Sequence, residues 1–249
     1  MNDGLLIPDW GGSEFAPPGV RALVTTRDYP QGHSVAPYAS FNLAGHVGDD
    51  PAAVAANRAQ LRTLLPAEPL WLNQVHGVAV ADVATASPGI SADASVAHAP
   101  GQVCAVLTAD CLPLLLAARD GSVVAAAHAG WRGLADGVIE ATVAAMRMPG
   151  SELSVWLGPA IGPAAFEVGD EVRAAFCRHD ARAAAAFVAH GAGKWLCDLY
   201  ALARQRLAAL GVTQVSGGGL CTYGAAQRFY SYRRDGATGR MASLIWREV

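Results

Sequence analysis

Three side chains of this sequence could together do metal chemistry: His76, Cys111 and His128. His76 lies in the segment 73–77 beside a glycine that lets the backbone turn tightly, and Cys111 and His128 each lie at the end of an apolar run. The three are too far apart in the chain for a local zinc finger, so they could meet only in the folded protein. Catalytic zinc usually has three protein ligands and a fourth position open to water or substrate.

Other chemistry remains open for the same residues. Copper also accepts imidazole and thiolate ligands. A Cys/His pair, with Cys111 as thiolate and a histidine as its base, is the rival interpretation. Taken alone, His76 is more typical of a hydrogen-bonded structural histidine than of a ligand.

Two charged residues beside these side chains are candidates for function. Asp110 directly precedes Cys111 at a predicted strand end, where a charged residue is costly unless it caps a turn or acts in the site. Arg132 follows His128 in a segment that leads into a predicted helix. A guanidinium near a helix N-terminus is well placed to hold an anion such as phosphate.

The elements that must position these residues alternate between strands and helices. Short β-rich runs predict seven strands, at Val20–Thr26, Val78–Val83, Val103–Thr108, Leu114–Ala117, Val123–Ala127, Leu153–Leu157 and Ser243–Trp246. Apolar spacing of three and four predicts one helix over Leu134–Met146, and a second that begins after Asp198 and stops at Gly211. Pro113, just after Cys111, is expected to break regular strand pairing. This pattern predicts an α/β or α+β sandwich with mixed sheets and flanking helices.

Composition excludes several classes of protein. With 249 residues and 52% hydrophobic residues, the chain can bury a substantial core, and it is predicted to form one domain over 1–249. A net charge of −3 gives no electrostatic footprint for nucleic acid or for an anionic membrane. The first ten residues do not read as a signal peptide, so a cytoplasmic protein acting on a small molecule is expected.

Several motifs resemble those of the purine nucleoside phosphorylase family, whose members are also known as laccase-domain, polyphenol oxidoreductase or peptidoglycan-editing-factor-like proteins. They are FNL at 41–43, HVGDD at 46–50, QVHG at 74–77, TADCLP at 108–113, HAGWRG at 128–133, FEVG at 166–169 and FYSYRRD at 229–235. The resemblance covers nearly the whole chain, in order.

The resemblance implies a fold like that of cytotoxic-necrotizing-factor-like cysteine hydrolases, and a zinc ion held by His76, Cys111 and His128. It also implies phosphorolysis of adenosine, inosine and methylthioadenosine, with adenosine deamination as a further activity. Copper-dependent phenol oxidation and editing of peptidoglycan precursors by an amidase-like Cys/His site are the alternatives. A monomer or a homodimer is expected.

Phosphorolysis needs an anion site and hydrogen bonds to the sugar or the base. The predicted substrate-binding residues are Arg27, Asn42, Gln74, Arg132 and Arg233. Deamination would need a carboxylate that carries protons, and Asp110 or Asp93 is the candidate. The chain has seven histidines and no H-x-H pair, which argues against the copper cluster of a true multicopper oxidase.

Overall fold

The computed structural model describes residues 4–249 and has a mixed α+β architecture. In chain order the strands are β1 Leu5–Leu6, β2 Val20–Thr25, β3 Val80–Asp82, β4 Ala94–Ala97, β5 Val103–Thr108, β6 Leu112–Ala118, β7 Val124–Ala129, β8 Leu153–Leu157, β9 Glu167–Gly169, β10 Phe187–Ala189, β11 Lys194–Cys197, β12 Gln214–Gly217 and β13 Met241–Arg247. The helices are α1 Pro51–Arg62, α2 Trp131–Asp136, α3 Val138–Met146, α4 Asp170–His179, α5 Leu199–Ala209 and α6 Tyr232–Asp235. The prediction of a single domain stays a prediction.

The strands form three sheets. One has six strands in the order β12-β8-β6-β7-β4-β3, one has four in the order β1-β2-β13-β5, and a small one has the order β10-β11-β9. Both β6–β7 and β13–β5 are antiparallel pairs, whereas β12–β8 and β3–β4 are parallel. This mixture confirms the predicted α+β sandwich with mixed sheets.

The six-stranded sheet is buried on both faces. Leu114 and Leu116 of β6 pack in one core with residues of α3 and α5, whereas Leu115 packs in a second core with Val106 of β5 and Ile245 of β13. Because side chains alternate across a strand, consecutive positions of β6 meet different layers. This is why the runs in β5, β6 and β7 are apolar at every position except Thr108 and His128, rather than alternating.

Pro113 does not interrupt β6, contrary to the sequence prediction. It lies opposite His128 in the β6–β7 register, whereas pairing of β6 with β8 begins one residue later, at Leu114. The Pro113 carbonyl accepts the N–H of Gly158 in the loop after β8. A proline is tolerated here because it lies near the first residue of the strand. The other predicted strands agree with the structure to within two residues at each end.

The predicted helix over Leu134–Met146 is two helices, α2 and α3. The break falls at Gly137, whose φ of 106° is accessible to glycine but strained for other residues. The first helix begins at Trp131, so Arg132 lies inside its first turn rather than before it. The predicted helix after Asp198 is confirmed as α5, with the Asp198 carboxylate accepting the N–H of Ala201 at 3.0 Å. Within residues 4–249, no helix has both the length and the apolar character needed to cross a bilayer.

Candidate metal centre

The structure brings His76, Cys111 and His128 together. One ligand atom from each of the three lies within 4.8 Å of the other two, and the Cys111 Sγ is 3.8 Å from the His76 Nε2. His76 is exposed, Cys111 is half-buried and His128 is buried. Among residues 4–249 this is the one group of three such side chains close enough to share a metal ion. The group could hold one ion with a side open to solvent.

Strand pairing accounts for two of the three positions. Cys111 immediately precedes β6, and His128 is the fifth residue of β7, the antiparallel neighbour of β6. The start of one strand therefore lies beside the end of the other, and the thiol meets the imidazole there. His76 comes from the loop before β3, which the pairing of β6 with β7 does not fix.

Asp93 holds the His76 loop against His128. Its Oδ2 accepts the backbone N–H groups of Val75 at 3.2 Å and Gly77 at 2.7 Å, and its Oδ1 accepts that of His76 at 2.9 Å. The same Oδ1 is 2.8 Å from the His128 Nδ1. With the proton on Nδ1, the Nε2 lone pair of His128 is left for a metal, an arrangement found at many zinc-binding histidines.

Asp110 supports the turn that carries Cys111. The Thr222 hydroxyl donates to its Oδ1 at 2.6 Å, and the Arg233 backbone N–H donates to its Oδ2 at 2.7 Å. Asp110 has φ of 91° and His76 has φ of 61°, both in the left-handed region that non-glycine residues rarely adopt. Such strain persists only where surrounding contacts enforce it, and it clusters at functional sites.

The thiol and the buried imidazole form a charged pair when no metal is bound. Burial alone raises the pKa of Cys111, but the His128 imidazolium and hydrogen bonds from both histidines lower it to about 6. Burial alone lowers the pKa of His128, but the Cys111 thiolate and Asp93 raise it to about 9. The two groups thus stabilise each other's charged forms, which favours the thiolate that binds a metal.

Two adjoining cavities meet at Cys111. The larger, of about 380 Å³, exposes all three candidate ligands and is also lined by His46, Gln74, Thr108, Tyr232 and Arg240. The smaller, of about 150 Å³, shares Ala109, Cys111 and Tyr232 with the larger one and is also lined by Asp110, Trp131, Ile161, Phe166, Leu199 and Arg233. The site therefore has a larger chamber that carries charged and hydroxyl groups and a smaller chamber that is mainly aromatic and apolar.

The predicted substrate-binding residues differ in where they lie. Gln74 lines the larger cavity, where its amide pairs with both backbone groups of Leu107, at 2.8 Å and 2.7 Å. Arg233 lines the smaller cavity, with its guanidinium 5.3 Å from the Phe166 ring and bonded to the Glu167 carbonyl.

Arg27, Asn42 and Arg132 lie outside the linings of both cavities. Arg27 donates to the carbonyls of Ala39 and Ala226. Asn42 is fully buried, and Arg132 stacks on the Trp131 ring at the surface. Their predicted contact with substrate stays a prediction.

Sequence reasoning missed four polar residues of the larger cavity: His46, Thr108, Tyr232 and Arg240. The clearest available signal was at Arg240, a charged residue directly before the apolar strand β13. The β5–β13 register places Met241 opposite Thr108, two residues before Asp110. A single sequence does not specify that register, so these residues could not be assigned to the site.

Comparisons with known proteins all point to one family. A model of the multi-copper polyphenol oxidoreductase laccase family matches residues 21–248. The chain is 56% identical over 242 residues to the Pseudomonas aeruginosa protein named purine nucleoside phosphorylase PA4543, covering 97% of each. It is 53% identical over 246 residues to the Escherichia coli purine nucleoside phosphorylase YfiH, covering 97% of this chain and 98% of that protein.

Among solved structures, the Neisseria meningitidis protein NMB0706 superposes with a TM-score of 0.92 at 51% identity, covering 99% of this chain and 100% of that one. These matches confirm the resemblance that the sequence motifs indicated. The chain therefore belongs to the multi-copper polyphenol oxidoreductase laccase family, among relatives that are named purine nucleoside phosphorylases.

Proposed function

We propose that this protein is a zinc-dependent enzyme that cleaves purine nucleosides by phosphorolysis. Its substrates would be adenosine, inosine and methylthioadenosine, each split into the free base and the sugar 1-phosphate. One observation carries the proposal: three candidate metal ligands line one cavity, and one of them, Cys111, also lines an adjoining aromatic cavity. The names of the relatives support it.

The two cavities match the two halves of a nucleoside. A purine is flat and aromatic, and the smaller cavity offers the aromatic side chains of Trp131, Phe166 and Tyr232. Ribose and phosphate are polar, and the larger cavity offers charged and hydroxyl groups. A nucleoside across the boundary would place its glycosidic bond beside the candidate metal ligands.

In this reaction the C–N glycosidic bond breaks and a C–O bond to phosphate forms at the same sugar carbon. The base leaves with the electron pair and takes up the proton that hydrogen phosphate gives up as it forms the sugar phosphate. The protein's own contribution is to orient the two reactants, to exclude water, and to hold the partial charges that develop. Zinc at His76, Cys111 and His128 would supply a Lewis acid that polarises an oxygen bound to it.

Asp110 and Asp93 would act in this mechanism as positioning residues. The two oxygens of each carboxylate accept hydrogen bonds from the protein, Asp110 from Thr222 and Arg233, and Asp93 from the His76 loop. Adenosine deamination would need one of them to carry protons to and from substrate. We therefore propose phosphorolysis as the main activity of the site and deamination as a secondary one.

Amidase-like editing of peptidoglycan precursors is the second candidate function. It is favoured by the thiolate that the two histidines stabilise at Cys111, because a thiolate is the nucleophile of Cys/His hydrolases. The implied likeness to cytotoxic-necrotizing-factor-like cysteine hydrolases belongs with this candidate. In a metal-bound protein the sulfur is a ligand, so the two functions require different states of the site.

The test of the proposed function is product analysis on the zinc-loaded protein, with and without phosphate. We expect adenosine and inosine to yield free base and ribose 1-phosphate only when phosphate is present. Loss of a group that only hydrogen-bonds to a metal ligand costs roughly 10- to 100-fold. Cys111→Ala removes a candidate ligand itself, so it should reduce the rate by more than this. Cys177→Ala, on α4 away from both cavities, is the matched control. Free ribose or inosine as the only product from adenosine in saturating phosphate would contradict phosphorolysis.

Metal content provides a separate prediction. We expect one ion per chain whether zinc or copper is supplied, because residues 4–249 contain one suitable group. Copper generally binds such ligands more tightly than zinc, so a copper-substituted protein would form and oxidise phenols slowly. Elemental analysis and oxygen consumption check this. Three or more copper ions per chain with rapid oxygen consumption, or phenol oxidation by copper-free zinc protein, would show a true laccase.

A further inference from the structure

Arg240 is the charged residue of the larger cavity whose hydrogen bonds are incomplete. Its Nη1 donates to the carbonyls of Thr238 at 2.9 Å and Gly239 at 3.0 Å. Within the described chain, its Nε and Nη2 have no hydrogen-bond partner, and no carboxylate lies within ion-pair distance of the guanidinium. These two N–H groups form the side edge of the guanidinium, which matches two oxygens of a carboxylate or phosphate.

The surroundings of that edge favour an anion. His46 lines the same cavity, and burial lowers its pKa, with the positive charges of Arg240 and Arg58 lowering it further. Asp110 is the nearby carboxylate, but the Thr222 hydroxyl and the Arg233 backbone N–H already bond its two oxygens. The guanidinium of Arg240 therefore has no paired carboxylate among the described residues; burial lowers its pKa, although the charges of Cys111 and Asp110 lie near enough to raise it.

Thr108 adds a hydroxyl without a partner. It lines the larger cavity and is only 2% exposed, and its Oγ1 forms no hydrogen bond to any described residue. The β5–β13 register places it opposite Met241, the residue after Arg240. Buried hydroxyls are normally satisfied, and this one is closed to solvent, so a turn of the Thr108 side chain toward the cavity would bring an unpaired donor to a ligand there.

A buried polar network fixes Arg240 in this place. The Asn42 Oδ1 accepts the Arg240 backbone N–H at 2.9 Å, and the Asn42 Nδ2 donates to Asp49 at 2.9 Å. The Asn57 amide donates to the Asn42 carbonyl at 2.9 Å. The Tyr232 ring lies 5.9 Å from the guanidinium carbon. Asn42, which the sequence analysis assigned to substrate binding, thus contacts the backbone of the residue that faces the cavity.

We infer that Arg240, with Thr108 beside it, is the anchor for a tetrahedral oxyanion in the larger cavity, and that inorganic phosphate is its occupant. The choice of phosphate rests on the proposed phosphorolysis, whereas the oxyanion site rests on the geometry alone. Phosphate offers two oxygens to the guanidinium edge and a further oxygen to the hydroxyl. This assigns to Arg240 the phosphate-holding role that sequence analysis predicted for Arg132.

The experiment is calorimetric titration of the zinc-loaded protein with inorganic phosphate in the absence of nucleoside, with sulfate and acetate as further arms. We expect Arg240→Gln to weaken phosphate binding about tenfold or more, because it removes charge-assisted bidentate hydrogen bonds. Arg240→Lys should weaken it less, since it keeps the charge but loses the planar edge. Thr108→Val, which removes only the hydroxyl, should weaken it a few-fold. Arg21→Gln, at an exposed pair with Glu248, is the control.

Each outcome is decisive. Phosphate binding that is unchanged in both Arg240→Lys and Thr108→Val would overturn the inference even if Arg240→Gln does not fold. Absence of phosphate binding to the wild-type protein, equal affinity for acetate, or a loss in Arg132→Gln instead of Arg240→Gln would also overturn it. If phosphate binds through Arg240 but no nucleoside is cleaved, the oxyanion site stands and the proposed function fails.

Discussion

Replacing Asp93 with asparagine is expected to weaken metal binding about 10- to 100-fold, as loss of the outer partner of a metal-binding histidine commonly does. In the wild-type protein Asp93 is completely buried and bonds both the His128 Nδ1 and the backbone of the His76 loop. Burial alone raises its pKa, but the hydrogen bonds from His128 and from Gly77 lower it below its usual value. The carboxylate is therefore charged where it meets His128.

Asparagine keeps the size of the side chain but replaces one acceptor oxygen with a donor. If its NH₂ faces His128, the imidazole must accept at Nδ1, which puts the proton on Nε2 and removes the lone pair that a metal needs. If it faces Gly77 and Val75, two backbone N–H groups lose their acceptor. An unsatisfied buried donor costs about 1–3 kcal/mol, so a lower free energy of unfolding is expected as well.

The measurements are zinc affinity by competition with a chelator and free energy of unfolding by denaturant. Asp120→Asn is the matched control, because Asp120 is exposed and accepts the N–H of Ser122 in a surface turn. Zinc affinity equal to wild type in Asp93→Asn would show that His128 needs no partner at Nδ1, and the description of Asp93 as its positioning residue would be abandoned.

Replacing Gly130 with alanine is the second change expected to have a large effect. A Cβ at this position would lie 2.8 Å from the His76 Cδ2 and 3.0 Å from the Cys111 Sγ. Gly130 has φ of −61° and ψ of 157°, which alanine adopts without strain. The added methyl group therefore acts on the candidate ligands and not on the backbone conformation.

Overpacking of this kind costs about 1–3 kcal/mol, which corresponds to a metal affinity lower by about 5- to 150-fold if the ligands take the displacement. Elemental analysis and chelator competition on Gly130→Ala check this, with circular dichroism to show that the fold is kept. In the control, Gly219→Ala, the added Cβ meets no atom within 4 Å. Full metal content at unchanged affinity in Gly130→Ala would contradict the packing of the three side chains described here.

Much of the fold could be predicted from the sequence because the relevant signals are local. The run Val103–Thr108 is apolar up to its last residue, and it forms a strand with the predicted bounds because both of its faces are buried. Asp198 and Gly211 delimit α5 through capping and turn chemistry that depends only on nearby residues. The prediction of one helix over Leu134–Met146 was wrong. The helical spacing of apolar residues continues through Gly137, but the helical backbone is interrupted there.

Residue types and motifs in the sequence were sufficient to nominate His76, Cys111 and His128 as a group and to indicate the family. Only the tertiary structure decided which polar residues share their cavity. The register of β13 on β5 brings Thr108 beside Arg240, and Asp93 ties a loop to a strand that is distant in the chain. Chemistry is a property of side-chain type, which a sequence states directly, whereas proximity depends on strand pairing and on the packing of layers, which many distant residues determine together.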